Sequence, residues 1–304
     1  MSTKKIQVIC PPELTTGGPE AMHQFVHAAR QQGIDARIVY LPKVAGTIAK
    51  PAAPYKIYDV VVDDDIDDNS DTMVLVSEVD TGVLMDLKRA KKAIWWLSID
   101  NYLLTRGGRI KRLLGIKKVF DIDNPDTSTH HFAQSEYARQ FLTNKGLKSV
   151  HMLTDHLRDD FVEAVGSQGD KGARVKRVAF NPKKGIEYTQ QIIESAGDDI
   201  EFIRLENMRP DQVRDTLMTS MVYMDFGHHP GRDRIPREAA VCGCSVITGR
   251  RGSAANGIDV PIDDRYKIDE SSPDFAERTI AVIKDIFENP EVHRQAFDQY
   301  RDAI

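Results

Sequence analysis

Short apolar runs alternate with amphipathic segments along the whole chain, and this alternation restricts it to the α/β class. Near the N-terminus, the apolar run Lys5–Cys10 is followed by a loop rich in proline and glycine. Apolar residues at helical spacing over 20–32 and a second run over 35–41 come next. Short β-branched runs predict strands, and apolar residues three and four positions apart predict a helix. The resulting βαβ unit predicts a parallel sheet with a right-handed crossover.

The alternation restarts in the second half, so we predict two doubly wound, Rossmann-like domains. A polar, glycine-containing stretch at 165–176 is the clearest loop or linker signal. We place the domains at 1–155 and 156–304, each near the roughly 150 residues of a typical domain. Open α/β sheets bind ligands at the carboxyl ends of their strands, and ligands also favour clefts between domains. We therefore expect the site in a cleft between the two domains.

The pattern also predicts individual elements that the structure can test. Strands are predicted at 58–62, 73–76, 93–97, 118–121, 131–133, 177–180, 200–205, 221–226 and 245–248. Helices are predicted at 82–90, 136–145, 186–195, 210–219, 236–242 and, as one continuous terminal helix, 273–300.

Composition limits the compartment and the partners. The net charge of -5 gives no support to nucleic-acid binding. Three cysteines are too few for a disulfide framework, which fits a reducing cytoplasm. No stretch approaches the ~18 apolar residues of a spanning helix, and the first residues lack the apolar core of a secretory signal. We predict a cytoplasmic protein without a nucleic-acid partner.

Two loops before predicted helices combine glycine with features that bind phosphate. Gly17 and Gly18 precede the first helix, and Asn181 and Lys184 lie in a turn that ends at Gly185. Glycine lets a backbone approach a ligand closely, a helix N-terminus attracts anions, and lysine adds a point charge. A tight turn and an exposed lysine are the ordinary alternatives, and the sequence leaves both open.

The most informative segment follows the predicted strand 221–226. It contains Arg232, Arg234 and Arg237, and then Glu238, which the pattern places in the first turn of a helix beginning at Pro236. A carboxylate there can accept hydrogen bonds from both hydroxyls of a ribose. Stabilisation of the helix N-terminus by its charge is the simpler alternative.

Two acidic residues of the first domain follow predicted strands, Glu78 after 73–76 and Asp100 after 93–97. Polar groups at strand ends can orient sugar hydroxyls, and an acid there can act as a general base. We predict no metal site: adjacent His228 and His229 lack the spacing of a ligand pair, and the acidic run near Asp63 reads as solvated surface.

Four segments in order resemble motifs of the GT-B glycosyltransferases of family 4, also called group 1. They are TTGGPEAMHQFVHAARQQG, HFAQSEYARQFLTNKG, NPKKG and PREAAVCGCSVITG. The resemblance departs from the family in three ways. Pro230 replaces the first acid of the E-x7-E pair, the spacing from Pro236 to Glu238 is one residue short, and the phosphate-motif arginine has no obvious counterpart.

The resemblance implies a GT-B fold, with two Rossmann-like domains facing across a cleft. It implies a hexosyltransferase-like enzyme that moves a sugar from a nucleotide-diphospho-sugar without a metal or other cofactor. Glu238 would bind the donor ribose, and Lys184, Asn181 and an arginine among Arg232, Arg234 and Arg237 would hold the diphosphate. Gly17 and Gly18 would permit close approach of the donor, while Asp100 or Glu78 would contact the acceptor or the reacting sugar.

The acceptor expected from this resemblance is a glycan or a lipid-linked sugar, as in bacterial surface polysaccharide synthesis. Basic and apolar residues interleave over 106–118, which is typical of segments that contact anionic membrane surfaces and also of solvated helix faces. Three alternatives stay open. A nucleotide-sugar epimerase needs no acceptor, a non-catalytic relative would bind the nucleotide as a regulator or scaffold, and glycosylation of modified DNA is compatible with the fold.

Overall fold

The computed structural model describes residues 3–43, 50–107, 119–168 and 174–304. They form two compact units, Met1–His156 and Leu157–Ile304. Each unit is built around its own parallel sheet.

The first unit contains a six-stranded sheet in the order β2-β1-β3-β4-β5-β6, and every neighbouring pair is parallel. Its strands are β1 (Lys5–Cys10), β2 (Asp35–Tyr40), β3 (Thr72–Ser77), β4 (Lys91–Trp96), β5 (His130–Ala133) and β6 (Val150–Met152). Its helices are α1 (Gly17–Gln31), α2 (Ile99–Gly107) and α3 (Glu136–Asn144).

Adjacent tryptophans show how the sheet of the first unit separates two cores. Successive strand residues point to opposite faces. Trp95 therefore packs with Met22 and Val26 of α1, whereas Trp96 packs with Tyr102 and Phe120. Both indoles are buried, so they belong to the core.

The acidic run after β2 ties loops to the sheet. Asp63 accepts a hydrogen bond from the Gln7 side chain at 2.6 Å, and its carboxylate lies 3.1 Å from Lys5 Nζ and 3.0 Å from Arg37 Nη1. Asp68 accepts the main-chain N–H groups of residues 88–90, and these bonds lower its pKa to about 2. The predicted strand at 58–62 is consequently wrong. Only Val62 pairs with the sheet, and the chain continues as a segment held by its aspartates.

The second unit contains a four-stranded parallel sheet in the order β10-β9-β7-β8. Its strands are β7 (Val175–Phe180), β8 (Glu201–Arg204), β9 (Ser220–Asp225) and β10 (Ser245–Thr248). Its helices are α4 (Asp159–Gln168), α5 (Ile186–Ala196), α6 (Pro210–Thr219), α7 (Arg234–Val241), α8 (Phe275–Glu288), α9 (Pro290–Gln295) and α10 (Asp298–Asp302). One apolar cluster that includes Val178, Tyr223, Val246 and Ile283 forms its core.

Several predicted boundaries need correction. The terminal helix is three helices, because the backbone leaves the helical region at Asn289 and Pro290 then begins α9. Proline fits the first turn of a helix but not its interior. The predicted helix at 82–90 is a short 3₁₀ helix, Thr81–Asp86, and residues 119–121 of the predicted strand at 118–121 have no regular structure.

None of the helices in the described ranges has the length and apolar character needed to cross a bilayer. Residues 108–118, most of the segment predicted to contact a membrane, lie outside the described residues.

Candidate functional site

Three loops of the second unit leave the sheet at the carboxyl ends of neighbouring strands. Residues 181–185 follow β7, residues 226–233 follow β9, and residues 249–253 follow β10. Because β10, β9 and β7 are adjacent and parallel, the three loops emerge at the same edge of the sheet. This edge is where open α/β sheets bind ligands.

Glycines allow these loops to pack backbone against backbone. A Cβ at Gly185 would overlap the carbonyl oxygen of Phe226, and one at Gly227 would overlap the stem of Lys184. A Cβ at Gly252 would overlap the carbonyl oxygen of His229. Gly185 and Gly252 also have positive φ, +58° and +64°, a conformation that glycine adopts without steric cost. The loop after β9 is therefore in direct contact with both of its neighbours.

A cluster of four charged side chains lies within these loops. Lys184 forms an ion pair with Asp233, the residue that precedes α7. Asp225, at the end of β9, lies 3.5 Å (Oδ1) from Nε2 of His229. The main-chain N–H of Gly227 donates to Asp225 Oδ1 at 2.8 Å, and the hydroxyl of Tyr223 donates to Oδ2 at 3.0 Å.

The charges of this cluster compensate one another. Burial by itself would lower the pKa of His229 and raise the pKa of Asp225. Attraction between the two groups outweighs burial, so the pKa of His229 is raised and that of Asp225 is lowered. The protonated form of His229 is therefore favoured, and in that form His229 and Lys184 together would balance the charges of the two aspartates.

The same cluster contains the ligand types that bind a divalent cation. Asp225, His229 and Asp233 each offer one ligand atom, and these atoms lie within 4.8 Å of one another. A metal would have to displace Lys184 from Asp233 and the proton from His229. Of these three residues, only His229 was weighed as a metal ligand from the sequence, and only as part of the His228–His229 pair. The missed signal is the four-residue spacing from Asp225 to His229 to Asp233.

Arg251, which the sequence analysis did not single out, lies on the loop after β10. Its Nη2–H donates to the carbonyl oxygen of Phe226 at 2.5 Å, and its Nε lies 2.5 Å from Glu270 Oε1. The guanidinium carbon is 4.8 Å from the centre of the Tyr188 ring. Tyr188 is in the first turn of α5, the helix that follows the loop after β7. Arg251 therefore links the loop after β10 to the loop after β9 and to the start of α5.

The structure brings Lys184 to this edge, but it uses the predicted arginines differently. The Arg237 side chain is 1% exposed and donates to the carbonyl oxygens of Asp233 and Arg232 at 3.2 and 2.9 Å. Arg237 therefore holds its own loop, which corrects its assignment to the donor. Arg232 is half-buried and donates to the carbonyl oxygen of Ala303 at 3.3 Å. Arg234 is half-buried and begins α7.

Glu238 is half-buried and lies in the second turn of α7, because this helix begins at Arg234 instead of Pro236. The predicted first-turn position is wrong. Lys184 contacts Asp233, the residue that precedes the same helix. Asn181 is half-buried and accepts the N–H of Lys183 at 3.1 Å, which closes the turn before Lys184.

In the first unit, Gly17 and Gly18 form the first turn of α1, and Thr16 provides no side-chain cap. The first turn therefore keeps N–H groups that no capping side chain occupies. A Cβ at Gly18 would make only an ordinary contact, 3.5 Å from Leu97 Cδ1. Packing within the described residues therefore does not require glycine at position 18.

Glu78 lies at the carboxyl end of β3, and its side chain is inside the unit. It is 2% exposed, and Oε2 accepts the N–H of Leu97 at 2.9 Å. Burial raises the pKa of Glu78 to about 7, although N–H donors from Leu97 and Ser98 oppose the increase. These contacts correct the catalytic assignment. Glu78 positions the turn after β4, which carries Asp100, and has almost no surface for a substrate.

Asp100 is half-buried in the first turn of α2, which begins at Ile99 directly after β4. Ser98 Oγ accepts the N–H of Asn101 at 3.2 Å, the bond typical of a helix N-cap. Tyr137 lies near Asp100: burial and then the charge of Asp100 raise the pKa of this tyrosine. Asp100 is thus partly exposed, whereas Glu78 is buried.

No protein-family model matches the sequence, and no curated protein matches it. Solved structures do match. Sucrose-phosphate synthase from Thermosynechococcus elongatus superimposes with a TM-score of 0.64 at 11% identity, over 99% of this chain and 94% of that one. HepE from Anabaena, in complex with UDP and glucose, superimposes with a TM-score of 0.60 at 11% identity. The match covers 98% of this chain and 94% of that one.

An alpha-glucosyltransferase, in complex with UDP and a 13-mer DNA containing an HMU base, superimposes with a TM-score of 0.62 at 9% identity. The match covers 99% of this chain and 95% of that one. At these identities the matches establish the fold alone. The chain has the α/β fold of the GT-B glycosyltransferases, which confirms the resemblance inferred from the motifs at the level of the fold.

Replacing Gly252 by alanine should destabilise the second unit. The added Cβ would overlap the carbonyl oxygen of His229, and alanine adopts a positive φ only at an energetic cost. We therefore expect the free energy of unfolding to fall by about 2 kcal/mol. Calorimetry of the full chain measures the effect. Gly257→Ala is the matched control, because nothing lies within 4 Å of its added Cβ. Equal stability of the two variants would contradict the backbone packing described above.

Glu78 should make the stability of the first unit dependent on pH. Its pKa is about 7 in the folded chain against 4.5 ordinarily, so the folded state holds the proton more tightly. The free energy of unfolding should decrease as the pH rises from 5 to 8. In Glu78→Gln this decrease should be smaller by up to about 3 kcal/mol. Both tryptophans lie in this unit, so tryptophan fluorescence during urea unfolding measures its stability.

Glu136→Gln is the control for this measurement. A hydrogen bond from Arg139 lowers the pKa of Glu136, so this group stays ionised in both states between pH 5 and 8. The Glu136→Gln variant should keep the wild-type slope. A Glu78→Gln variant that also keeps it would show that Glu78 is not the titrating group.

Proposed function

We propose that the protein is a glycosyltransferase that moves a sugar from a nucleotide-diphospho-sugar to a hydroxyl group of a glycan or lipid-linked acceptor. The observation that carries this proposal is the position of Lys184. It lies in the turn before α5, and α5 begins after Gly185 without a side-chain cap. A lysine beside an uncapped helix N-terminus is suited to a diphosphate. Fold neighbours solved in complex with UDP support a nucleotide as part of the substrate.

The chemistry requires stabilisation of a leaving diphosphate. The bond between the anomeric carbon and the β-phosphate oxygen breaks, and a new bond forms to the acceptor oxygen. The acceptor hydroxyl loses its proton to a base or to solvent, and the nucleoside diphosphate leaves with the bonding electrons. Lys184 and the N–H groups of α5 would stabilise this charge, which is the main catalytic effect available to such a site.

Other predicted residues complete the proposal. Glu238 would accept hydrogen bonds from the donor ribose or sugar, and Asn181 would shape the turn that presents Lys184. Gly17 and Gly18 would allow a ligand to approach the start of α1 closely. Asp100, the more accessible of the two acids of the first unit, would contact the acceptor or the reacting sugar. A role in surface polysaccharide synthesis at the inner face of a membrane fits such an acceptor and belongs to the same proposal.

Lys184→Ala should lower kcat/KM for nucleoside diphosphate release from the donor roughly 100-fold, because the leaving phosphate loses a charge-assisted partner. A coupled assay of diphosphate release with a panel of UDP-, GDP- and ADP-sugars measures this. Lys183→Ala is the matched control, since the Lys183 side chain is exposed. Similar rates for the two variants would remove Lys184 from the mechanism.

The same panel separates the competing functions. Transfer to an added glycan or lipid-linked acceptor supports a transferase. Isomerised donor in the absence of an acceptor would identify an epimerase instead. Nucleotide binding without turnover would favour a regulator or scaffold, the function suggested by Pro230 at the position of the missing acid.

We further propose that turnover does not depend on a metal. Lys184 and a protonated His229 already balance Asp225 and Asp233, so the cluster needs no cation for neutrality. Activity should change less than about twofold after treatment with EDTA. Loss of activity that Mn²⁺ restores would instead assign the cluster of Asp225, His229 and Asp233 to a metal.

A further inference from the structure

Arg251 has an accessible guanidinium that the fold holds in place with little use of its donors. Its side chain is 35% exposed. Among the residues that the structure describes, its guanidinium makes one hydrogen bond, from Nη2–H to the carbonyl oxygen of Phe226. Glu270 lies 2.5 Å from Nε, but without the geometry of a hydrogen bond. A guanidinium has five N–H donors; one bonds Phe226 and the buried Nε–H faces Glu270, so three have no partner among the residues that the structure describes.

Two neighbouring residues hold the Arg251 side chain in place and leave part of it exposed. Glu270 is buried and is itself oriented by the main-chain N–H of Arg250, which donates to Oε2 at 3.0 Å. Tyr188 provides a ring face on the other side, 4.8 Å from the guanidinium carbon. An arginine that is placed by a buried acid and an aromatic ring loses little conformational freedom when it binds an anion.

Arg251 and Lys184 approach the same dipeptide. Arg251 binds the carbonyl oxygen of Phe226, and the stem of Lys184 lies so close to Gly227 that a Cβ there would overlap it. Tyr188, on which Arg251 rests, is in the first turn of α5. Lys184 with the adjacent N-terminus of α5, and Arg251 from a distant part of the sequence, therefore converge on the loop after β9.

We propose that Arg251 binds the diphosphate of the donor together with Lys184. This inference rests on the proposed function and supplies the phosphate arginine that the turn at Asn181 lacks. The planar fork of a guanidinium can bind two phosphate oxygens at once, a geometry that an ammonium group cannot provide. Arg237 cannot take this role, because its side chain is 1% exposed and bonded to its own loop.

The neighbouring arginine provides a matched control. Arg250 has the same charge and lies on the same loop, but its side chain points to a different region. Its Nε–H donates to the carbonyl oxygen of Lys267 at 2.9 Å, and Nη2 lies 3.5 Å from a carboxylate oxygen of Asp264. Arg250→Met and Arg251→Met thus remove the same charge at adjacent positions.

Calorimetric titration of the full-length variants with UDP and GDP, and with UMP and GMP, tests the proposal. For whichever diphosphate the wild type binds, Arg251→Met should weaken affinity roughly 10- to 100-fold, the range expected for hydrogen bonds to a charged group. Arg251→Lys should fall between the wild type and Arg251→Met. Arg250→Met should bind within about twofold of the wild type, and the effect on the monophosphate should be smaller than on the diphosphate.

The outcomes separate this inference from the function on which it rests. A wild-type protein that binds neither UDP nor GDP, nor ADP titrated in the same way, would count against the proposed function. Diphosphate binding that Arg251→Met leaves unchanged would overturn the role of Arg251 and leave the function standing. Equal losses in Arg250→Met and Arg251→Met, or an equal loss for mono- and diphosphate, would overturn it as well. Melting temperatures of each variant identify a loss that comes from unfolding.

Discussion

The candidate site depends on the contact between the loop after β9 and the loops on either side of it. At Gly185 and Gly252 the backbone has positive φ, and the place of a side chain is taken by a carbonyl oxygen of the middle loop. Any other residue would have to separate these loops. Because Lys184 directly precedes Gly185 and Arg251 directly precedes Gly252, the same two contacts that close the loops also set the positions of both cations.

Charge compensation is the second constraint on this edge. Lys184 is paired with Asp233, His229 with Asp225, and Arg251 with Glu270. Unpaired charges in a partly buried site would be costly, so the pairs make the empty site stable. In the proposed site, a diphosphate would have to replace Asp233 at Lys184, whereas Arg251 could bind it while keeping Glu270 as its partner. Such an exchange would lower the affinity for a single anion and favour a ligand that contacts both cations at once.

The sequence predicted the alternation of strands and helices well because apolar periodicity is a local property. Strand Ser245–Thr248 and helix Pro210–Thr219 have the predicted bounds. The prediction failed where contacts with residues far away in the sequence determine the local structure. At 58–62 only Val62 pairs with the sheet, and the following residues Asp63 and Asp67 bind Lys5 and Arg37 instead of continuing a strand. The pattern predicts a start of α7 at Pro236, but the helix begins two residues earlier, at Arg234, with Asp233 before it. Glu238 therefore lies in the second turn.

The site residues show the same division between local and distant information. Lys184 could be found because its turn has a recognisable pattern before a helix. Arg251 could not, since nothing near it in sequence marks it: its importance comes from Phe226, Tyr188 and Glu270, which are 25, 63 and 19 positions away. Glu78 shows the opposite case, a strand-end acid whose pattern suggested chemistry while burial made it structural. The proposed diphosphate site would therefore take its two cations from separate loops, and a local sequence pattern could identify only Lys184.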